Sequence, residues 1–251
     1  MSVYDYPQYY EIAFSYQEVK RQIDYFETLI EKYCKRKARR FLDIGCGPSP
    51  QLREISRRGY EAVGLDKNTK MLDYLNQKAK EEDLVVGTTQ ADMQSFRLAK
   101  KCDFTFTLSG SLVARSNQEL LKHLKCVADA LNDGGLYLLE NLSIGLVEHG
   151  RQEWVMKSDG IEIKTTFEAK VTDVMRQVSQ GKLTLEVDDH GKRLTLVNIE
   201  ETKDYAPAEF ESLVELSGRF RFLGFFKHLS LELLKAPSGD NIVLMQKHRE
   251  T

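Results

Sequence analysis

Short apolar runs alternate with amphipathic segments over much of the chain. The runs Arg40–Ile44, Tyr60–Leu65, Leu84–Gln90, Asp103–Leu108 and Leu136–Glu140 have the length and composition of buried strands. Between them, Pro50–Arg58, Thr69–Lys80 and Ser116–Leu131 read as helices. The last opens on Ser116 and Glu119 at capping-box spacing and closes before Gly134. Ahead of the first strand, Val19, Ile23, Phe26, Ile30 and Tyr33 mark one face of a helix from Gln17 to Lys35. Strand–helix alternation of this kind implies a doubly wound α/β domain, with a mostly parallel sheet covered on both faces.

The pattern changes at about Gln152. From there to Thr202, polar and apolar residues alternate, with turn signals at Ser158-Asp159-Gly160, Ser179-Gln180-Gly181 and Asp189-His190-Gly191. This predicts an inserted antiparallel β lobe. A helix over Pro207–Leu216 restores the first pattern, with Pro207 in its first turn, and Phe220–Lys227 and Ile242–Gln246 read as two final strands. The expected division is a main domain over 1–151 and 203–251, with a helical cap over about 1–38, and a lobe over 152–202. A length of 251 residues suits one domain plus a lobe.

Composition narrows the partners. A net charge of −2 gives no general attraction to nucleic acid or an anionic membrane. One local exception is the run Lys35, Arg36, Lys37, Arg39 and Arg40, which reads as cations at a helix C-terminus and its linker, with a polyanion contact as the alternative. Cys34, Cys46, Cys102 and Cys126 are too scattered for a zinc knuckle or a disulfide framework, which points to thiols in the cytoplasm. The aromatic, acidic start lacks the basic and apolar regions of a signal peptide, and no stretch nears the ~20 apolar residues of a membrane span. The five histidines are scattered, and no carboxylate cluster has a recognisable metal spacing, so no metal site is expected.

The chemistry concentrates in Phe41-Leu42-Asp43-Ile44-Gly45-Cys46-Gly47-Pro48-Ser49, an apolar strand running into a glycine-rich turn and then a helix. Glycines there let a ligand approach the backbone, and open α/β sheets bind ligands at the carboxyl ends of their strands. About twenty residues on, the second strand ends in Gly64-Leu65-Asp66, where a carboxylate can accept both hydroxyls of an adenosine ribose. On this reading Asp66 serves the ligand and adds little to the unliganded fold. A dinucleotide site would carry a third glycine where Pro50 stands, and Asp43 would repel a pyrophosphate. Beside a cationic amino-acid end the same carboxylate is attractive. The residues therefore favour a cofactor with an ammonium, an adenosine and no phosphate.

This segment resembles the glycine-rich motif of the class I S-adenosylmethionine-dependent methyltransferases, and the likeness extends well over residues 40 to 141. It implies a Rossmann-like sheet of seven strands, the last antiparallel to the rest, and S-adenosylmethionine as cofactor. It implies cofactor contacts from Asp43, Gly45, Cys46 and Gly47, and ribose binding by Asp66 with Lys67 beside it. Asp92 and Met93, in Ala91-Asp92-Met93, would bind adenine, and Leu108 would lie near the methionine moiety. Asn132-Asp133-Gly134-Gly135-Leu136 resembles the family's turn into the fifth strand. The opening Tyr4-Asp5-Tyr6-Pro7-Gln8-Tyr9-Tyr10-Glu11 resembles the aromatic segment of its small-molecule N- and O-methyltransferases, where a tyrosine-bearing helix closes over the cofactor; this implies a contact from Tyr10. The inserted lobe resembles the roof those enzymes place over the substrate.

The implied activity is methyl transfer to an amine or hydroxyl of a small molecule. Trp154 and His149 lie near the entry to the lobe, and His149 is the one candidate for a general base. Sulfonium chemistry often needs only alignment, so a base is not required. Leu108-Ser109-Gly110-Ser111 replaces the Asn-Pro-Pro-Tyr or Asp-Pro-Pro-Tyr of adenine-N6 and glutamine-amide methylation. Two rivals remain. One is an RNA or protein methyltransferase, in which Lys35–Arg40 with Arg53, Arg57 and Arg58 form a basic surface. The other is a cofactor-binding regulator without turnover. Oligomeric state is not legible.

Overall fold

The structure is a computed structural model that describes residues 1–34, 37–145 and 150–248. The first five strands are β1 (Arg40–Ile44), β2 (Glu61–Asp66), β3 (Val86–Gln90), β4 (Cys102–Thr107) and β5 (Leu131–Glu140). Four more, β6 (Gly150–Ser158), β7 (Ile161–Asp173), β8 (Val178–Asp189) and β9 (Lys192–Lys203), precede the final pair, β10 (Phe220–Lys227) and β11 (Asn241–Lys247). The helices are α1 (Pro7–Ala13), α2 (Val19–Tyr33), α3 (Pro50–Arg57), α4 (Thr69–Glu81), α5 (Asn117–Ala130) and α6 (Pro207–Leu216), with a short 3₁₀ turn over Val3–Asp5.

The main sheet has seven strands in the order β10-β11-β5-β4-β1-β2-β3. β11 runs antiparallel to both of its neighbours, and the pairs among β1 to β5 are parallel. Strand order reverses at β1, which puts the carboxyl ends of β1 and β4 at the switch point where such sheets hold ligands. Successive side chains of a strand face opposite layers. Leu42 and Ile44 join Leu120, Leu124 and Val127 of α5 and Phe210 of α6, whereas Phe41 joins Ile23, Phe26 and Leu29 of α2 and Leu52 and Ile55 of α3. Both faces are thus covered by helices, as the near-continuous apolar strands require.

Local chemistry sets several boundaries. Ser116 caps α5 by accepting the Glu119 N–H (3.2 Å), but the Glu119 carboxylate reaches the Arg115 N–H (2.7 Å), one residue beyond the ordinary box. The buried stripe of α2 is Gln22, Ile23, Tyr25, Phe26 and Leu29, wider than its apolar pattern suggests. Gln22 is tolerated inside because Gln51 Nε2 donates to its Oε1 (2.8 Å). Pairing of β5 with β4 jumps from Cys102↔Leu131 to Phe104↔Leu136, so Asn132–Gly135 loop out and Gly134 takes a positive φ.

The lobe is an antiparallel sheet in the order β6-β7-β8-β9. Its inner face carries Ile163, Thr165, Leu185, Val187 and Leu196, all buried. Except for Thr165, these residues form a core with Val3, Tyr9 and Ala13 of the N-terminal segment. Its outer face carries cross-strand ion pairs, including Lys182–Glu168 (3.6 Å) and Arg151–Glu168 (3.3 Å). Turns fall at Ser158–Gly160 and Asp189–Gly191 as the sequence predicts, but Ser179-Gln180-Gly181 lies inside β8. The turn between β7 and β8 is instead Val174–Gln177. Gly181 faces the Phe167 ring of β7, which would stand 3.2 Å from a Cβ there. Glycine in a strand interior can mark such a close approach.

Candidate functional site

The turn after β1 is built without free backbone donors at its centre. Gly45 N–H and Cys46 N–H both donate to the Leu65 carbonyl (2.8 and 3.0 Å), and Ser49 N–H donates to the Cys46 carbonyl (3.2 Å). Gly47 N–H donates to Asp66 Oδ2 (2.8 Å). Pro48 and Pro50 have no N–H to offer. Gly45 and Gly47 adopt positive φ of 69° and 53°, which explains why glycine holds both positions. A phosphate would not find the cradle of amides it needs here.

The charge of the site has the same sense. Asp43 is buried near the end of β1, where Ser49 Oγ donates to its Oδ2 (2.7 Å) while accepting the Leu52 N–H at the start of α3. Burial pushes the Asp43 carboxyl up to about 7, and the neighbouring Asp66 and Glu140 carboxylates push the same way. Three carboxylates therefore share the carboxyl edge of the sheet. A cation placed among them would be attracted, and it would draw the proton off Asp43.

Asp66 has two jobs in the fold. Its Oδ2 takes the Gly47 N–H, and its Oδ1 takes the Asn68 N–H (2.8 Å). Asn68 itself caps α4, accepting the Lys70 and Met71 N–H groups, so Asp66 is not the helix cap. The expectation that Asp66 adds little to the unliganded protein is corrected: its carboxylate ties the glycine turn to the end of β2. Lys67, next along, is exposed, and its carbonyl accepts Gln90 Nε2 (3.3 Å).

Of the remaining residues singled out by sequence, Met93 and Tyr10 lie against this turn. A Cβ built on Gly45 would stand 3.6 Å from Met93 Cε and 3.4 Å from Ser111 Cβ. One built on Gly47 would stand 3.9 Å from Met71 Sδ and 4.0 Å from Tyr10 Cε1. Cys46 is buried, and burial raises its thiol well above the ordinary range. Asp92 is exposed, and its Oδ1 closes a turn on the Gln94 N–H (2.7 Å). Leu108 is buried just past β4. His149 lies outside the described residues.

The N-terminal segment bridges body and lobe. Toward the body, Asn68 Nδ2 donates to the Tyr4 carbonyl (3.0 Å), Tyr74 donates to Glu11 (2.6 Å), and Arg53 pairs with Glu11. Toward the lobe, Trp154 Nε1 donates to the Ala13 carbonyl (2.7 Å) and Tyr9 to Asp189 (2.8 Å). Tyr4, Tyr10, Phe14, Tyr16 and Trp154 form a continuous aromatic chain with centroid spacings of 4.6 to 6.2 Å. Burial pushes the Tyr4 phenol up to about 12 and the Tyr10 phenol higher still, so both remain neutral.

Sequence reasoning missed Glu140 and His228. Glu140, buried at the end of β5, accepts the Ser109 N–H (2.9 Å) on Oε2 and contacts His228 Nε2 (2.9 Å) with Oε1. This contact raises the His228 imidazole above its usual value. An acidic residue ending an apolar strand was a readable signal for Glu140. His228 lies 88 residues further on, and only pairing through β11 brings it there. The Arg53, Arg57 and Arg58 part of the basic surface expected on the nucleic-acid reading is internally paired. Arg53 pairs with Glu11 and Glu82, Arg57 with Glu54 and Glu82, and Arg58 with Asp24, Glu27 and Glu54. Lys35 and Arg36 lie outside the described residues.

Residues 41–135 match a family described as a methyltransferase domain. A protein of Geobacillus sp. (strain WCH70), named as one of the methyltransferases, is 22% identical over 162 residues. That match covers 62% of this chain and 66% of the relative, just under two thirds of its length. Among solved structures, an S-adenosylmethionine-dependent methyltransferase from Clostridium acetobutylicum ATCC 824 superposes with a TM-score of 0.79 at 15% identity, covering 96% of each chain. DesVI of Streptomyces venezuelae gives 0.74 at 18% identity, over 90% of each chain. A sugar N-methyltransferase from Streptoalloteichus sp. ATCC 53650 gives 0.74 at 16% identity, over 93% of this chain and 89% of the other.

Proposed function

We propose that this chain, which has the class I S-adenosylmethionine-dependent methyltransferase fold, moves a methyl group from that cofactor to an amine or hydroxyl of a small molecule held beneath the β lobe. One observation carries the cofactor reading: the donors at the centre of the glycine turn are consumed internally while Asp43, Asp66 and Glu140 crowd the same edge. That site suits a cation and rejects a pyrophosphate.

When bound, the cofactor supplies a sulfonium with an activated methyl. The residues orient it. Asp66 would accept from the ribose, Asp92 and Met93 would hold the adenine, and Asp43 would attract the ammonium. Gly45, Cys46 and Gly47 would allow close backbone approach, Lys67 would lie at the rim, Leu108 would contact the methionine moiety, and Tyr10 would cover the site. An aromatic face near a sulfonium adds roughly 0.5–2 kcal/mol of cation–π attraction. Transfer then depends mainly on alignment of acceptor, methyl and sulfur.

The acceptor side lies under the lobe, where Trp154 and Tyr16 meet at 6.0 Å; Gln17, next to Tyr16, donates from Nε2 to Ser109 Oγ (2.8 Å), and Ser109 N–H and His228 both meet Glu140. Glu140 and His228 can hold a proton from the acceptor. The N-terminal segment, tied to both body and lobe, favours a small acceptor over a folded macromolecule. One solved relative is named for sugar nitrogen, which supports the amine class. The four cysteines are thiols, which fits a cytoplasmic setting.

The test is incubation with methyl-labelled cofactor and a cell extract, followed by size fractionation. Label is expected in the metabolite fraction. Label in RNA or protein would support the first rival, and no transfer despite binding would support the regulator. By calorimetry, S-adenosylhomocysteine should bind and NAD should not; the reverse result overturns the cofactor assignment.

A further inference from the structure

A buried histidine has no part in the reaction as described, yet it connects two parts of the site. His123 of α5 is fully buried. Its Nδ1 lies 2.9 Å from the Met93 carbonyl, and its Nε2 lies 2.5 Å from the Tyr137 hydroxyl of β5. The Tyr137 hydroxyl lies 3.1 Å from Thr107 Oγ1, at the end of β4. A carbonyl can only accept, so Nδ1 carries the proton and Nε2 is bare. Tyr137 must then donate to Nε2, which leaves its oxygen to accept from Thr107. The chain has one direction: Thr107 to Tyr137 to His123 to the Met93 carbonyl.

Both ends of this chain border the cofactor site. Thr107 precedes Leu108, and the Met93 side chain lies over Gly45. A buried polar chain is costly unless every member is satisfied, and here each of these groups is. Burial also lowers the His123 imidazole to about 4, so it remains neutral and keeps this tautomer at physiological pH. An apolar trio would fill the same space but would not hold the Met93 peptide in one orientation.

We propose that His123 is a positioning residue for the adenine platform, locking the Met93 peptide to the end of β4 through Tyr137 and Thr107. This rests on the reading of Met93 as an adenine contact. The Asp92–Ser95 turn is closed locally by Asp92 Oδ1 on Gln94 N–H and the Asp92 carbonyl on Ser95 N–H; Gln94 Nε2 reaches the Val113 carbonyl, and just ahead of the turn Ala91 N–H donates to the Asp66 carbonyl. His123 ties the Met93 carbonyl, between these contacts, to the core.

The test compares His123→Leu, His123→Asn and Tyr137→Phe, probed with S-adenosylhomocysteine, with adenosine alone and by hydrogen exchange on the free protein. His123→Leu should weaken both ligands by the same factor, about three- to tenfold, and speed amide exchange over residues 91–95. In His123→Asn the amide nitrogen stands where Nδ1 stood and still donates to Met93. It should recover most of the affinity although its melting temperature remains low. Tyr137→Phe, which frees the tautomer, should fall between them and serves if His123→Leu does not fold. Variants that melt earlier yet bind both ligands like the parent overturn the proposal, because the histidine would then be packing only. Failure of the parent protein to bind S-adenosylhomocysteine would instead refute the cofactor reading. The exchange measurement would still decide whether His123 holds the turn.

Discussion

Replacing Asp66 with alanine separates a ligand contact from a structural tie. In the free protein the carboxylate accepts two backbone N–H groups at 2.8 Å, from Gly47 and Asn68. Hydrogen bonds to charged groups contribute about 1.5–3 kcal/mol each. Asp66 is half-buried, and water can replace it at both amides, so the pair together is taken at the value of one such bond. A chain of this size loses about 2–4 °C per kcal/mol, giving a fall of about 3–12 °C in the melting temperature without ligand. If the same carboxylate also accepts the ribose hydroxyls, affinity for S-adenosylhomocysteine should drop roughly ten- to a hundredfold. Scanning calorimetry and titration calorimetry on one preparation read both effects. Asp66→Asn keeps one acceptor and should lie between parent and alanine on each axis. A lower melting temperature with unchanged affinity would refute the ribose contact and leave Asp66 as a tie only. Weaker binding with no change in melting temperature would refute the two backbone bonds.

Asp43 should make stability fall with rising pH. Its carboxyl is raised to about 7 in the folded protein, so between about pH 4 and 7 the folded state holds a proton that the unfolded chain has released. The stabilisation is complete below pH 4 and lost as pH passes 7; Asp43→Asn should flatten that slope in melting curves taken across pH, and an unchanged slope would contradict the assignment. Cofactor binding near pH 7 should release a proton from Asp43, visible as a buffer-dependent heat in calorimetry. Gly64→Ala should destabilise, because the new Cβ would stand 2.8 Å from Cys46 Sγ and 2.9 Å from Leu52 Cδ1. Overpacking of this kind costs about 1–3 kcal/mol, or about 2–12 °C of melting temperature here, and an unmoved transition would mean the site can yield.

The seven main-sheet strands and the helices between them were legible because each depends on a repeat of two or of three to four residues along the chain. The glycine turn was legible too, since Asp43, Gly45, Gly47 and Pro50 are chemically unusual at that spacing and lie within one short segment. Ser179-Gln180-Gly181 misled for a physical reason. A glycine in a turn and a glycine beneath an aromatic ring look alike until the partner strand is known, and Phe167 comes from β7. Asp66 was visible as a site residue, but its bonds to Gly47 and Asn68 depend on how the turn closes over the end of β2. Glu140 with His228, and His123 with Met93 and Tyr137, could not be read from the sequence, because their partners lie 14 to 88 residues apart and no periodicity links them. What the sequence determined by itself was local: periodicity, turn chemistry and the charge of one motif. Which polar groups meet was decided only when the sheet assembled, since burial removes water and leaves each buried donor and acceptor to find its partner among groups that the fold brings near.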